Sequence, residues 1–157
     1  MFLNKEKGTI LFTYYYRNSF VCLDTNLNLL YKGKTIDTNT IAKIKTALIE
    51  KEGKKIRTMA KPPLYVNKRG YSSGNNLYIH AALAADNEDP KRFKQREVID
   101  VYQLDNGKYS HTIYLPKNKR LTGFVVHDDV LIALHERYLT TYSISRFESG
   151  EAENPSP

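Results

Sequence analysis

Residues 98–116, VIDVYQLDNGKYSHTIYLP, place two β-rich runs on either side of a short polar loop. Val98, Ile99 and Val101 lead in, and Tyr109, Ile113, Tyr114 and Leu115 lead out. Between them lies Asp105-Asn106-Gly107, where Asn and Gly can adopt the positive φ angles that a hairpin reversal needs. The same alternation of short strand, polar turn and short strand recurs on both sides of this stretch. The pattern predicts a repeated antiparallel meander, which is an architecture before it is a chemistry.

A chain of 157 residues has room for one domain with a real core. With 41% hydrophobic and 26% charged residues, the composition is that of an ordinary globular protein. Twelve Tyr and six Phe against no Trp favour strands, because these rings fit a half-buried pleated surface. The formal charge of +7 raises nucleic acid and acidic partners as candidates, but a Lys excess serves solubility just as well. The single cysteine, Cys22, excludes an intrachain disulfide, and its run Phe20-Val21-Cys22-Leu23 predicts a small buried side chain. No apolar stretch reaches the roughly 18 to 20 residues of a transmembrane segment. The opening MFLNKEKGT is too short and charged for a signal peptide, so a complete chain is expected in the cytoplasm.

Taken in order, Thr9–Arg17, Ser19–Asp24 and Leu29–Ile36 read as three strands, with Gly33 as a bulge and Met1–Lys5 supplying part of a fourth. Residues 38–63 are open between two readings. Ile41, Ile44 and Leu48 have helical spacing, whereas Lys43–Glu50 and Lys54–Ala60 can pair as a protruding hairpin across Lys51-Glu52-Gly53. After Pro62-Pro63, Tyr65–Lys68 leads into a turn around Gly70 and Gly74, followed by the strand Leu77–Leu83. Ala84–Arg96 is polar and broken by Pro90, which predicts an exposed loop. The last strands are Leu121–Val126, Val130–Leu134 and Tyr138–Ile144, separated by turns at 127–129 and 135–137. One domain over 1–147 is expected, with strand sets at 1–37, 64–116 and 117–145 and a disordered acidic tail at 148–157.

Evenly spaced short strands in sets of about four suit a sandwich, a barrel or a propeller. TILFTYYYRNSFVCLDTNLNLLYKGKTIDT (9–38), EVIDVYQLDNGKY (97–109) and LTGFVVHDDVLIALHERYLTTYSI (121–144) resemble the C-terminal part of the six-bladed β-propellers common in Bacteroidetes, of TolB-like or NHL-like type. The resemblance spans most of 9–144 and implies an all-β fold of four-stranded antiparallel blades, about three of them, with no catalytic set to carry over. It also implies a periplasmic or surface lipoprotein setting if the chain is a fragment of an exported propeller. Three blades do not close a ring. The chain is therefore part of a longer propeller, or two copies form a homodimer closing a six-bladed ring, or the strands pack as a sandwich.

No catalytic, cofactor-binding or metal-ligating motif is present in the sequence. His80, His111, His127 and His135 lack metal-ligand spacing, and neither a nucleophile elbow nor a phosphate-cradling glycine loop occurs. His80 and His111 read as structural strand residues, and His127 and His135 as solvated turn residues. His127, Asp128 and Asp129 form the turn cluster nearest to a metal or acid–base site, since turns of successive blades gather at a propeller face. Lys54, Lys55 and Arg57 lie in the most basic run, 43–61, a candidate contact for phosphate or an acidic protein. The reading reached is a non-enzymatic scaffold binding an unknown protein or small molecule. A channel-centred hydrolase or lyase, and a basic β module for nucleic acid, are the alternatives.

Overall fold

The computed structural model describes residues 1–85, 88–117 and 120–145, so the tail expected at 148–157 lies outside the described residues. The described chain is all-β, built from antiparallel meanders. Strands β1 (Phe2–Asn4), β2 (Thr9–Thr13), β3 (Ser19–Asp24) and β4 (Leu29–Lys34) form the first sheet in chain order. Strands β5 (Thr46–Lys51) and β6 (Lys54–Met59) form a separate hairpin. The second sheet contains β7 (Asn67–Ser73), β8 (Asn76–Ala81), β9 (Arg96–Gln103) and β10 (Tyr109–Pro116), with the short helix α1 (Pro90–Lys94) between β8 and β9. The third sheet is β11 (Leu121–His127), β12 (Val130–His135) and β13 (Tyr138–Ser143).

The second sheet is central because both of its faces are apolar. On one side Leu77, Ile79, Tyr102 and Leu104 pack with Leu11, Phe20 and Cys22 of the first sheet. On the other, Tyr78, Ile99, Val101, Ile113 and Leu115 pack with Leu121, Phe124, Val126, Leu131 and Ala133 of the third. Strand alternation sorts neighbours such as Val101 and Tyr102 onto opposite faces, and each buried large side chain contributes about 1.5–3 kcal/mol. The leading strands also meet: β7 touches β1, β2 and β11. Cys22 is buried in the first interface as expected, and burial raises its thiol pKa.

Of the two readings open for 38–63, the structure has the hairpin, over 46–59, with Glu52 (φ 54°) and Gly53 (φ 72°) making its reversal. Other local expectations are corrected. Ala84–Arg96 is not wholly loop, because Asp89 accepts the Lys91 amide at 2.9 Å as an N-cap and Pro90 opens a turn of helix. Strand β2 stops at Thr13 rather than Arg17, since the next residues bond to the approach of β7: Tyr15 O accepts from Val66 N at 2.7 Å, and Asn67 Nδ2 donates to Tyr14 O and Arg17 O. Gly33 is not a bulge, which falls instead between Cys22 and Leu23. It faces Phe20 in register, and the Phe20 ring occupies the space a β-carbon would need. Gly70 likewise lies inside β7 rather than in a turn, where a β-carbon would stand 2.6 Å from the Phe2 ring. In the opening hairpin Gly107 takes the positive φ, 68°, and the Asn106 side chain accepts the Lys108 amide.

Candidate functional site

The leading strands carry their polar residues toward one end of the three sheets. Lys68 and Arg69 lie on β7, Arg120 precedes β11, Tyr15 comes from the β2–β3 turn, and Tyr65 from the approach to β7. Together with His80, Glu97 and Thr122 they line a cleft of about 690 Å³. A smaller pocket of about 220 Å³ shares Tyr15, Lys68 and Arg69 and continues past Phe2 and Phe124. The rim is aromatic and cationic. Tyr65 stands 6.5 Å from Tyr15 and 5.2 Å from Tyr16, and the Arg17 guanidinium lies 3.7 Å over the Tyr14 ring.

Under the cleft is a buried charge cluster. His80 on β8 and Glu97 on β9 are 1% and 3% exposed, and His80 Nε2 lies 2.7 Å from Glu97 Oε2. Burial holds His80 below the usual imidazole range, so the neutral ring donates its Nε2–H to the carboxylate. Lys68 Nζ donates to the same oxygen at 3.3 Å and lies 3.0 Å from His80 Nε2. Burial pushes the Glu97 carboxyl up, but the hydrogen bond from His80 and the Lys68 charge outweigh it and hold the acid at about 2. The Leu121 amide lies 3.5 Å from the other carboxylate oxygen and ties the third sheet to the cluster. His80 Nδ1 is buried with no hydrogen-bond partner among the described residues.

This cluster fixes the position of His80 and Lys68 beneath the cleft. Glu97 offsets Lys68, and among the described residues Arg69 and Arg120 make no ion pair. The arrangement suits an anion held by guanidinium groups against tyrosine rings.

The residues singled out in the sequence lie elsewhere. His127 and Asp128 close the β11–β12 turn with side chains 85% and 87% exposed, 3.6 Å apart, and Asp129 shares that turn. Asp128 has φ 48°, which explains a short polar residue there. Lys54, Lys55 and Arg57 are exposed on β6, opposite Lys51, Glu50 and Leu48, in a hairpin that joins no other sheet. His135, expected in a solvated turn, is instead the last residue of β12 and 5% exposed. The cluster at Glu97 was not foreseen. Its trace in the sequence is a carboxylate heading the apolar run Val98-Ile99-Asp100-Val101, one strand away from a histidine inside LYIHAAL. Among the described residues no group of three His, Cys, Asp or Glu is placed to hold a metal, and no helix is long and apolar enough to cross a membrane. The chain matches no family model, no curated protein and no solved structure.

Proposed function

We propose that this chain is a partial β-propeller acting as a non-enzymatic binding scaffold, with the cleft at its leading strands as the ligand site. The observation that carries this reading is the convergence of Lys68, Arg69 and Arg120 with Tyr15 and Tyr65 around one cleft, above a carboxylate already neutralised from within. The ligand class is anionic, a carboxylate- or phosphate-bearing small molecule or an acidic protein segment. What supports a propeller is the repetition of one stacking step, first sheet on second and second on third, with β1 and β11 both against β7. Loops and leading strands then present recognition groups while the sheets hold them rigid.

Isothermal titration of the 157-residue chain with citrate and inorganic pyrophosphate tests the reading. Saturable binding is expected, weakened about tenfold by Arg69→Ala and by Arg120→Ala, the loss of roughly one charge-assisted contact. Binding of neither anion, or wild-type affinity retained by both variants, would sink it. A single-stranded oligonucleotide serves as a comparison. Affinity confined to the oligonucleotide, falling steeply with salt and lost on neutralising Lys54, Lys55 and Arg57, would favour the nucleic-acid reading instead.

A further inference from the structure

A second pocket, on the first-sheet side of the second sheet, has the opposite chemistry. Its volume is about 370 Å³, and Ile36, Ala81, Leu83, Val98, Tyr109 and Tyr114 supply the apolar part of a wall that is elsewhere polar. Set into that wall is Asp100, 3% exposed. Thr112, directly across the β9–β10 ladder, donates its hydroxyl to Asp100 Oδ1 at 2.7 Å. Because the Thr112 proton is committed, Tyr109 donates to Thr112 Oγ1 at 2.8 Å, giving a directed chain from Tyr109 through Thr112 to Asp100. Among the described residues Asp100 Oδ2 has no hydrogen-bond partner, and no cation lines the pocket. Arg96, the nearby guanidinium, is held 5.2 Å over the Tyr114 ring. Glu88 also lines the pocket, adding a second carboxylate.

We propose that this pocket binds a primary ammonium group carried on a compact apolar body, with the ammonium on Asp100 and the body between Val98, Tyr109 and Tyr114. Asp100 Oδ2 opens onto the pocket from a residue that is otherwise buried, and a cationic donor is the group that bonds such a carboxylate oxygen most strongly. The tyrosine faces favour a cation over a neutral donor by the same quadrupole attraction that holds Arg96. Glu88 excludes anions and raises the local concentration of cations in a protein whose overall charge is +7. This site and the anionic cleft have Leu83 in common but hold their charged groups apart, Asp100 and Glu88 in one and Lys68, Arg69 and Arg120 in the other, so either stands if the other fails.

The probe is benzylamine, with benzyl alcohol as its neutral counterpart, titrated into the whole chain and followed by amide chemical shifts. Benzylamine is expected to saturate with an affinity of roughly millimolar, as a ligand of that size allows, and to shift the amides of Ala81, Val98, Asp100 and Thr112. Benzyl alcohol should bind about tenfold more weakly, in keeping with the loss of a charged hydrogen bond. Asp100→Asn should remove that preference, bringing both probes to the same affinity. Leu83→Arg, a change at a half-buried residue outside the strands, places a tethered cation at the pocket and should abolish benzylamine binding without altering the rest of the spectrum. Nα-acetyl-lysine methylamide distinguishes the ammonium source, since binding tighter than benzylamine would assign the pocket to a lysine side chain. The proposal is overturned if benzylamine shifts none of these amides, if alcohol and amine bind alike in the wild type, or if Leu83→Arg leaves benzylamine binding unchanged.

Discussion

Asp100 and Glu97 lie three residues apart on one strand and are tuned in opposite directions. Glu97 has a neutral imidazole and an ammonium within reach and is held at about 2, so its contribution to stability is present above the unfolded value of about 4.5 and lost as pH falls toward 2. Asp100 has a single hydroxyl donor, with Glu88 and Asp37 as its acidic neighbours, and burial pushes its carboxyl up to about 6. The folded state therefore binds its proton more tightly than the unfolded chain, whose value is about 3.9. The corresponding stability is complete below that value and lost as pH rises through 6. His80, depressed by burial, opposes this in the same range by losing stability below its unfolded value of about 6.5. Comparing Asp100→Asn with the wild type cancels the histidine. The variant's stability relative to wild type, from urea unfolding, should improve between pH 4 and pH 7 by on the order of 3 kcal/mol at most. A difference that stays flat between the two pH values would mean that Asp100 is not desolvated.

At the scale of elements, the β5–β6 hairpin stands apart. All six residues of β6 are exposed, neither strand joins another sheet, and Ala60 N to Lys45 O closes its base at 2.9 Å. Replacing residues 45–60 by a short Gly-Ser linker should leave the melting temperature within about 2–4 °C of wild type, because little buried apolar area is removed. A larger drop, or loss of the near-ultraviolet spectrum, would show that the hairpin supports the core. The same segment marks where sequence reading lost resolution. Ile41, Ile44 and Leu48 fit a helix as well as a strand, and each is exposed, so no burial pattern existed to separate the two periods. Where burial is strong the strands were legible: Leu77 and Ile79 alternate with Tyr78 and His80, and the structure places them on opposite faces of the central sheet. The candidate site was not legible, because Lys68, His80, Glu97 and Arg120 come from four separate stretches of chain. Only the register His80 against Ile99 and the close packing of β7 on β11 bring them together. The glycines misled for a related reason: Gly33 and Gly70 relieve contacts with Phe20 and Phe2, partners that no local pattern announces.

For the molecule as a whole, the decisive feature is what the two outer sheets leave uncovered. Leu11, Phe20 and Cys22 of the first sheet face inward, so alternation turns Ile10, Phe12, Val21 and Leu23 outward. These form cross-strand pairs, Ile10 with Leu23 and Phe12 with Val21, and Leu3 extends the row. On the third sheet, Val125 pairs with Ile132 and Leu134 with Leu139 on the face turned away from Leu131 and Ala133. Each outer face is an apolar sheet surface of the kind that the chain twice buries internally. A two-fold axis can seat the first sheet of one copy on the third sheet of another and repeat the contact on the opposite side. That closes six sheets with no outer face left open, whereas any non-closing arrangement of the same contact would propagate. Light scattering on a sizing column is therefore expected to give a species of twice 18.1 kDa. Phe12→Glu or Ile132→Glu, each placing a charge in the proposed contact, should convert it to a folded monomer. A wild-type monomer at high concentration would refute closure by a second copy. A species growing steadily with concentration would mean that the faces meet at an angle that does not close, and the ring reading would fail on geometry.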